Sequence, residues 1–153
     1  VHRGDLGSAE FAPRSFDLVT LWDVLEHTPD PLETLWRATG LLKPHGKLVL
    51  ETQNVNSLMA RVLGRRWHHY KHAEHLFHFN RATLRSAVER SELRVLEMTA
   101  RHAGKQVSPA FVVERVGRVH PLLSILAKPL ALLPRRGLYV NLLDELIVVA
   151  EPV

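Results

Sequence analysis

The stretch 16–31, FDLVTLWDVLEHTPDP, constrains the fold of this chain more than any other. Its opening, Phe16 to Trp22, is apolar apart from Asp17 and Thr20. A short run of that kind reads as a strand buried on both faces, as in a parallel sheet. It breaks into a loop carrying Asp23, Glu26 and His27. Asp30-Pro31 then opens a helix, with an acid at the N-cap and proline at the first helical position. Open α/β sheets place their ligands where a buried strand ends in polar groups. None of the 15 residues before this strand forms a glycine-rich nucleotide loop.

The same alternation continues along the chain. Leu32, Leu35, Trp36, Leu41 and Leu42 form a helical stripe, and Lys43-Pro44-His45-Gly46 is expected to end it. Residues 46–52 read as a second strand, 58–63 as a short helix, 80–89 as a further helix and 93–99 as a third strand. A long apolar and basic segment follows, broken by Pro121, Pro129 and Pro134. Residues 142–150, LLDELIVVA, read as a final strand. Strands alternating with helices predict an α/β fold with a mostly parallel sheet.

Composition narrows the class. A chain of 153 residues suffices for one domain with a real core. It contains no cysteine, which excludes disulfides and thiolate metal sites. The net charge of +4 is too mild to demand a polyanionic partner. Aromatics are only 7% and no dedicated RNA-binding segment is visible, so no nucleic-acid partner is expected. No apolar run reaches the ~20 residues of a spanning helix. The expectation is a soluble, cytoplasmic piece of a longer protein.

FDLV, VLEH with its Pro-Asp-Pro, LLKPHGKL, a strand running into Gln53-Asn54, and HLFHF before a helix together resemble the second half of class I S-adenosylmethionine-dependent methyltransferases. The branch most similar contains the ubiquinone-pathway O-methyltransferases. The resemblance implies a partial Rossmann-like methyltransferase sheet, strands 4-5-7-6 of the family's seven. That sheet is mostly parallel, with an antiparallel last strand and a helical insertion before it. Residues 16–22 would be strand 4, 47–52 strand 5, 93–99 strand 6 and 142–150 strand 7. The chain is then a single partial domain, 1–153, with 106–138 as insertion or lid. The glycine loop of strand 1 and the ribose-binding acid of strand 2 would lie outside it.

The resemblance also implies roles. Asp5 and Leu6 would meet the adenine ring of S-adenosylmethionine; a carboxylate suits its exocyclic amine, which only donates. Trp22, Asp23 and Val24 would wall the cofactor, and Glu26 and His27 would touch cofactor or substrate. An imidazole beside a carboxylate suits general-base work on a hydroxyl. The alternative for Glu26 is a structural brace. His75, which matches the family's H-L-x-x-F histidine, His27 and Tyr70 are the candidate catalytic residues, with His72 beside them. Some relatives hold a divalent metal near the acid–His segment, for which Asp23, Glu26 and His27 would be the ligands. A metal-free site is the preferred reading. Five histidines between His68 and His78 invite a zinc reading too, but the HxxxH spacing lacks a zinc protease's glutamate. An aromatic lid is expected there instead.

The substrate implied is a small molecule with an oxygen nucleophile, lipid-like if segment 111–136 covers the pocket. That segment combines Phe111, Leu122, Leu123, Leu126 and Leu130 with Arg115, Arg118, Lys128, Arg135 and Arg136, a pattern compatible with peripheral membrane contact. The competing reading is a degenerate domain that binds or assembles without catalysis. With no strand 1 beside it, strand 4 would expose an apolar edge, so self-association is expected.

Overall fold

A computed structural model describes residues 4, 6–70, 73–119, 121–132 and 137–153. β1 (Phe16–Trp22), α1 (Pro31–Leu41), β2 (Leu42–Gln53), α2 (Leu58–Leu63), α3 (Arg81–Arg90) and β3 (Leu93–Thr99) follow in order. Then come β4 (Lys105–Val107), α4 (Pro109–Val119), α5 (Pro121–Ala127), β5 (Leu138–Val140) and β6 (Glu145–Pro152). The main sheet has the order β1-β2-β6-β3. β1 and β2 are parallel, and β6 runs antiparallel to both β2 and β3. Three strands therefore share one direction and β6 opposes them, as the 4-5-7-6 reading requires. β4 and β5 form a separate antiparallel pair at the base of the helical insertion, which the sequence pattern did not suggest.

Local chemistry explains the helices. Asp30 accepts a hydrogen bond from Glu33 N at 3.0 Å, and Pro31 takes the first position of α1. Asn80 caps α3 through Ala82 N and Thr83 N, while Thr83 returns the bond to Asn80 N. Leu35, Ala38, Leu84 and Val88 from α1 and α3 pack with Leu48, Leu50, Leu146, Val148 and Ala150 from the sheet to make the core.

The pattern misled at several points. β1 is not buried on both faces: Leu21 is its one buried side chain, and Leu18 and Trp22 are exposed. The strand is the edge of the described sheet, so only one side of it has a neighbour. Trp36 faces outward, because its indole N–H donates to Arg90 O at the end of α3, at 3.1 Å. KPHG does not separate helix from strand. β2 begins at Leu42, and the register against β1 jumps from Phe16–Leu42 to Leu18–Lys47. The surplus residues of β2 bulge there, and Gly46 sits so close that a Cβ would lie 2.9 Å from Phe16 O. β6 begins at Glu145 rather than 142, since Leu143 has φ 55° and its N–H donates to Asn141 Oδ1 at 2.8 Å.

In the insertion, Phe111, Leu122, Leu123, Ile125, Leu126 and Leu130 are exposed, as is Lys128. The side chains of Arg115, Arg118, Arg135 and Arg136 lie outside the described residues. Among the described residues no helix is long and apolar enough to cross a membrane.

Candidate functional site

The carboxyl end of β1 is where the polar residues gather. Trp22 ends the strand with its side chain half exposed. Asp23 has φ 50°, a conformation that aspartate tolerates better than most residues, and its N–H still reaches Glu51 O of β2 at 3.2 Å. Val24 is exposed, and Leu25–His27 form one 3-10 turn. Leu25 drops fully into the core, which throws His27 back to the surface. Asp5 lies outside the described residues, and Leu6 packs half-buried against the core.

Glu26 is 1% exposed. Burial pushes its pKa above the ordinary carboxylate range; the charge of Asp23 adds to this and hydrogen bonds to the backbone and Thr52 oppose it. Thr52 Oγ1 lies 2.9 Å from Glu26 Oε2 and 2.5 Å from Gln53 Oε1. A hydroxyl has one proton to give. The Thr52 hydroxyl stands between the two acceptors and can donate to Glu26 Oε2 or to Gln53 Oε1, one at a time. Gln53 in turn donates to Phe77 O at 3.0 Å and contacts His78 Nδ1 at 3.2 Å. The backbone O of Glu26 also accepts from Leu76 N at 2.8 Å. Glu26 thus ties the HLFHF loop to the end of β2.

That loop delivers His75 to His27. Their rings meet edge to face with centroids 4.7 Å apart. His27 Nδ1 lies 2.8 Å from Glu74 O, and a carbonyl only accepts, so Nδ1 is the donor and Nε2 is the nitrogen that carries the lone pair in a neutral ring. Tyr70 instead packs on Trp67 and His78, at 5.1 and 5.3 Å between centroids. His72 lies outside the described residues. Glu26, His27 and His75 each offer a ligand atom within 4.8 Å of the others, so this trio could hold a divalent ion. Asp23 is not among them.

Asp23 is drawn elsewhere, into a cluster that sequence reasoning missed. Lys105 of β4 reaches Glu145 Oε1 at 2.6 Å, Asp23 Oδ2 at 3.1 Å and Glu51 Oε1 at 3.9 Å. Burial works against the Lys105 ammonium, but hydrogen bonds and attraction from Glu145 and Asp23 outweigh it and raise its pKa. Burial drives Glu145 up to about 8; Lys105 opposes this, and the neighbouring Glu51 carboxyl adds to it. One signal was available: Glu51 and Glu145 sit inside apolar strand patterns, where an acid needs a partner. An open apolar groove of ≈ 640 Å³ between the start of α1 and the length of α3, lined by Pro29, Phe77, Phe79 and Arg90 among others, contains none of the candidate site residues.

Comparison with known proteins identifies the frame. A methyltransferase domain family model matches residues 2–98, more than half of the chain. The chain belongs to the methyltransferase domain family. A ubiquinone biosynthesis O-methyltransferase of Xanthomonas euvesicatoria is 41% identical over a segment that covers 39% of this chain and 29% of the relative. The match thus spans less than a third of that relative's length. An S-adenosylmethionine-dependent methyltransferase from Mesorhizobium loti has the same fold, with TM-score 0.56 and 18% identity over 98% of this chain and 68% of the other. The [4+2]-cyclase SpnF matches as well, with TM-score 0.56 and 15% identity over 97% of this chain and 54% of its own. At such identities the likeness concerns the fold alone. The family's cofactor is S-adenosylmethionine. For that group the exposed apolar faces of Trp22 and Val24, at the carboxyl end of β1, are a fitting wall.

Proposed function

We propose that this chain is the acceptor side of an S-adenosylmethionine-dependent methyltransferase acting on an oxygen nucleophile of a small molecule. One observation carries the reading: His27, just past the carboxyl end of β1, has its Nδ1 committed to Glu74 O, which makes Nε2 the nitrogen to take a hydroxyl proton. The cofactor supplies an activated methyl group. The chain's own task is alignment and proton removal. Trp22 and Val24 flank the donor, with Asp5, Leu6 and Asp23 as further contacts, and His27 takes the proton with His75 packed against it. Glu26 holds the loop that carries His75.

The test is methyl transfer by the intact gene product to a catechol-type acceptor. His27→Gln should lower kcat about 10²- to 10⁴-fold, the usual worth of a general base. Unchanged kcat removes His27 from this role. In the same protein, S-adenosylhomocysteine should bind with micromolar affinity to wild type and His27→Gln alike.

A second reading, a binding domain without catalysis, is favoured by the Lys105–Asp23 ion pair, which occupies an acid at the carboxyl end of β1. Failure to bind S-adenosylhomocysteine would support it. The exposed apolar side chains of α4 and α5, with Lys128 among them, support contact with anionic lipid and a lipid-like acceptor. The exposed edge of β1 supports self-association. Vesicle co-sedimentation tests the first of these and analytical ultracentrifugation the second. A cytoplasmic workplace belongs to the same proposal.

A further inference from the structure

We propose that His68, His69 and Asp144 form a binding site for a divalent cation of the zinc class, separate from the Glu26–His27–His75 group. Their ligand atoms all lie within 4.8 Å of one another. His69 Nε2 is 3.8 Å from Asp144 Oδ2; Glu145 Oε1 lies 3.4 Å from the same nitrogen but is held by Lys105 at 2.6 Å, so Asp144 is the carboxylate ligand. His69 and Asp144 are buried, and His68 is partly so.

The residues are held in place from behind. Trp67, 1% exposed, donates its indole N–H to Asp144 Oδ2 at 2.9 Å. A carboxylate has further lone pairs, so this bond orients Asp144 without exhausting it. The same indole packs edge-on against His69 at 5.0 Å and His68 at 6.3 Å. One side chain therefore positions all three ligands, the supporting shell that metal sites need. Asp144 is fixed from its own side as well, since its carbonyl accepts from Asn54 N at 2.8 Å.

Charge argues for a cation. Lys105 is already engaged by Asp23 and Glu145. Asp144 faces the two imidazoles. Two nitrogen ligands with one oxygen favour zinc, cobalt or nickel over magnesium or calcium. Three protein ligands leave a fourth position open, the pattern of sites that bind water or substrate. His69 also lies 6.2 Å from His75 between ring centroids, so the ion would sit one histidine away from the proposed acceptor site.

The inference does not depend on methyl transfer, and its test does not use it. Chelator-treated protein is titrated with Zn²⁺ by calorimetry and with Co²⁺ by visible absorption. One ion should bind. His69→Gln and Asp144→Asn should each weaken it at least ~10-fold, the lower end for loss of even a supporting residue, while Leu18→Ser, at an exposed position of β1, leaves it unchanged. Circular dichroism checks that each variant is folded. If either variant fails to fold, imidazole resonances of the wild type decide: Zn²⁺ should shift His68 and His69. No binding, unaltered affinity in both variants, or shifts confined to His27 and His75 would overturn the proposal.

Discussion

β1 and β2 run side by side in the same direction and live in different surroundings. From Gly46 onward β2 alternates buried and half-buried positions and then buries Leu50 through Gln53 in succession. β1, with much the same apolar content, buries one residue. β2 has a strand on each side, β1 and β6, while among the described residues β1 has a neighbour on one edge only. Apolar composition shows that a segment prefers to leave water; its neighbours decide whether it does. The polar groups follow the same division. Those at the end of β2 are buried and interlocked, whereas past the end of β1 Asp23 and His27 face outward, where a ligand can reach them, and Glu26 turns inward.

Substitutions can break this contrast. Leu50→Ala, in a fully buried position, should cost ~2–5 kcal/mol by chemical denaturation. A loss below 1 kcal/mol would mean that the centre of the sheet is as loosely held as its edge. Gly46→Ala, which forces a Cβ against Phe16 O, should cost ~1–3 kcal/mol and loosen the β1–β2 junction, read by hydrogen exchange at Leu18 and Thr20. At the other end of the scale, Leu18→Ser on the exposed β1 position should stay within ~0.5 kcal/mol of wild type.

A pH series sharpens the contrast for the polar ends. Glu145 has its pKa raised from 4.5 to about 8 in the folded state. The unfolded chain gives up this proton first, so native stability declines as pH rises from about 4.5 to about 8. Glu145→Gln should flatten that decline, measured as melting temperature across the window. An unchanged slope would show that Glu145 is ionised in the native protein.

Much of this frame is legible from short-range chemistry. Asp30-Pro31 starts α1, Asn80 starts α3, and 16–22 and 93–99 are strands by their residue types alone, because caps and strand patterns act over a few residues. The resemblance also located the acid–His turn and the histidine loop. What escaped it depended on contacts between distant segments. Trp36 belongs to a helical stripe by spacing, yet a carbonyl at the end of α3 turns it outward. Lys105 looks like an ordinary surface cation until the insertion brings β4 across to Glu145.

The histidines show the division most clearly. Their crowding between 68 and 78 is plain in the chain, and so is their capacity as bases or ligands. Which of them meet is not. His27 pairs with His75 because Glu26 holds their two segments together, and His69 faces Asp144 because β6 starts beside the end of β2. Chemical character resides in each side chain and can be read one residue at a time. Proximity comes from closing long loops, and only the packed sheet determines where those closures fall.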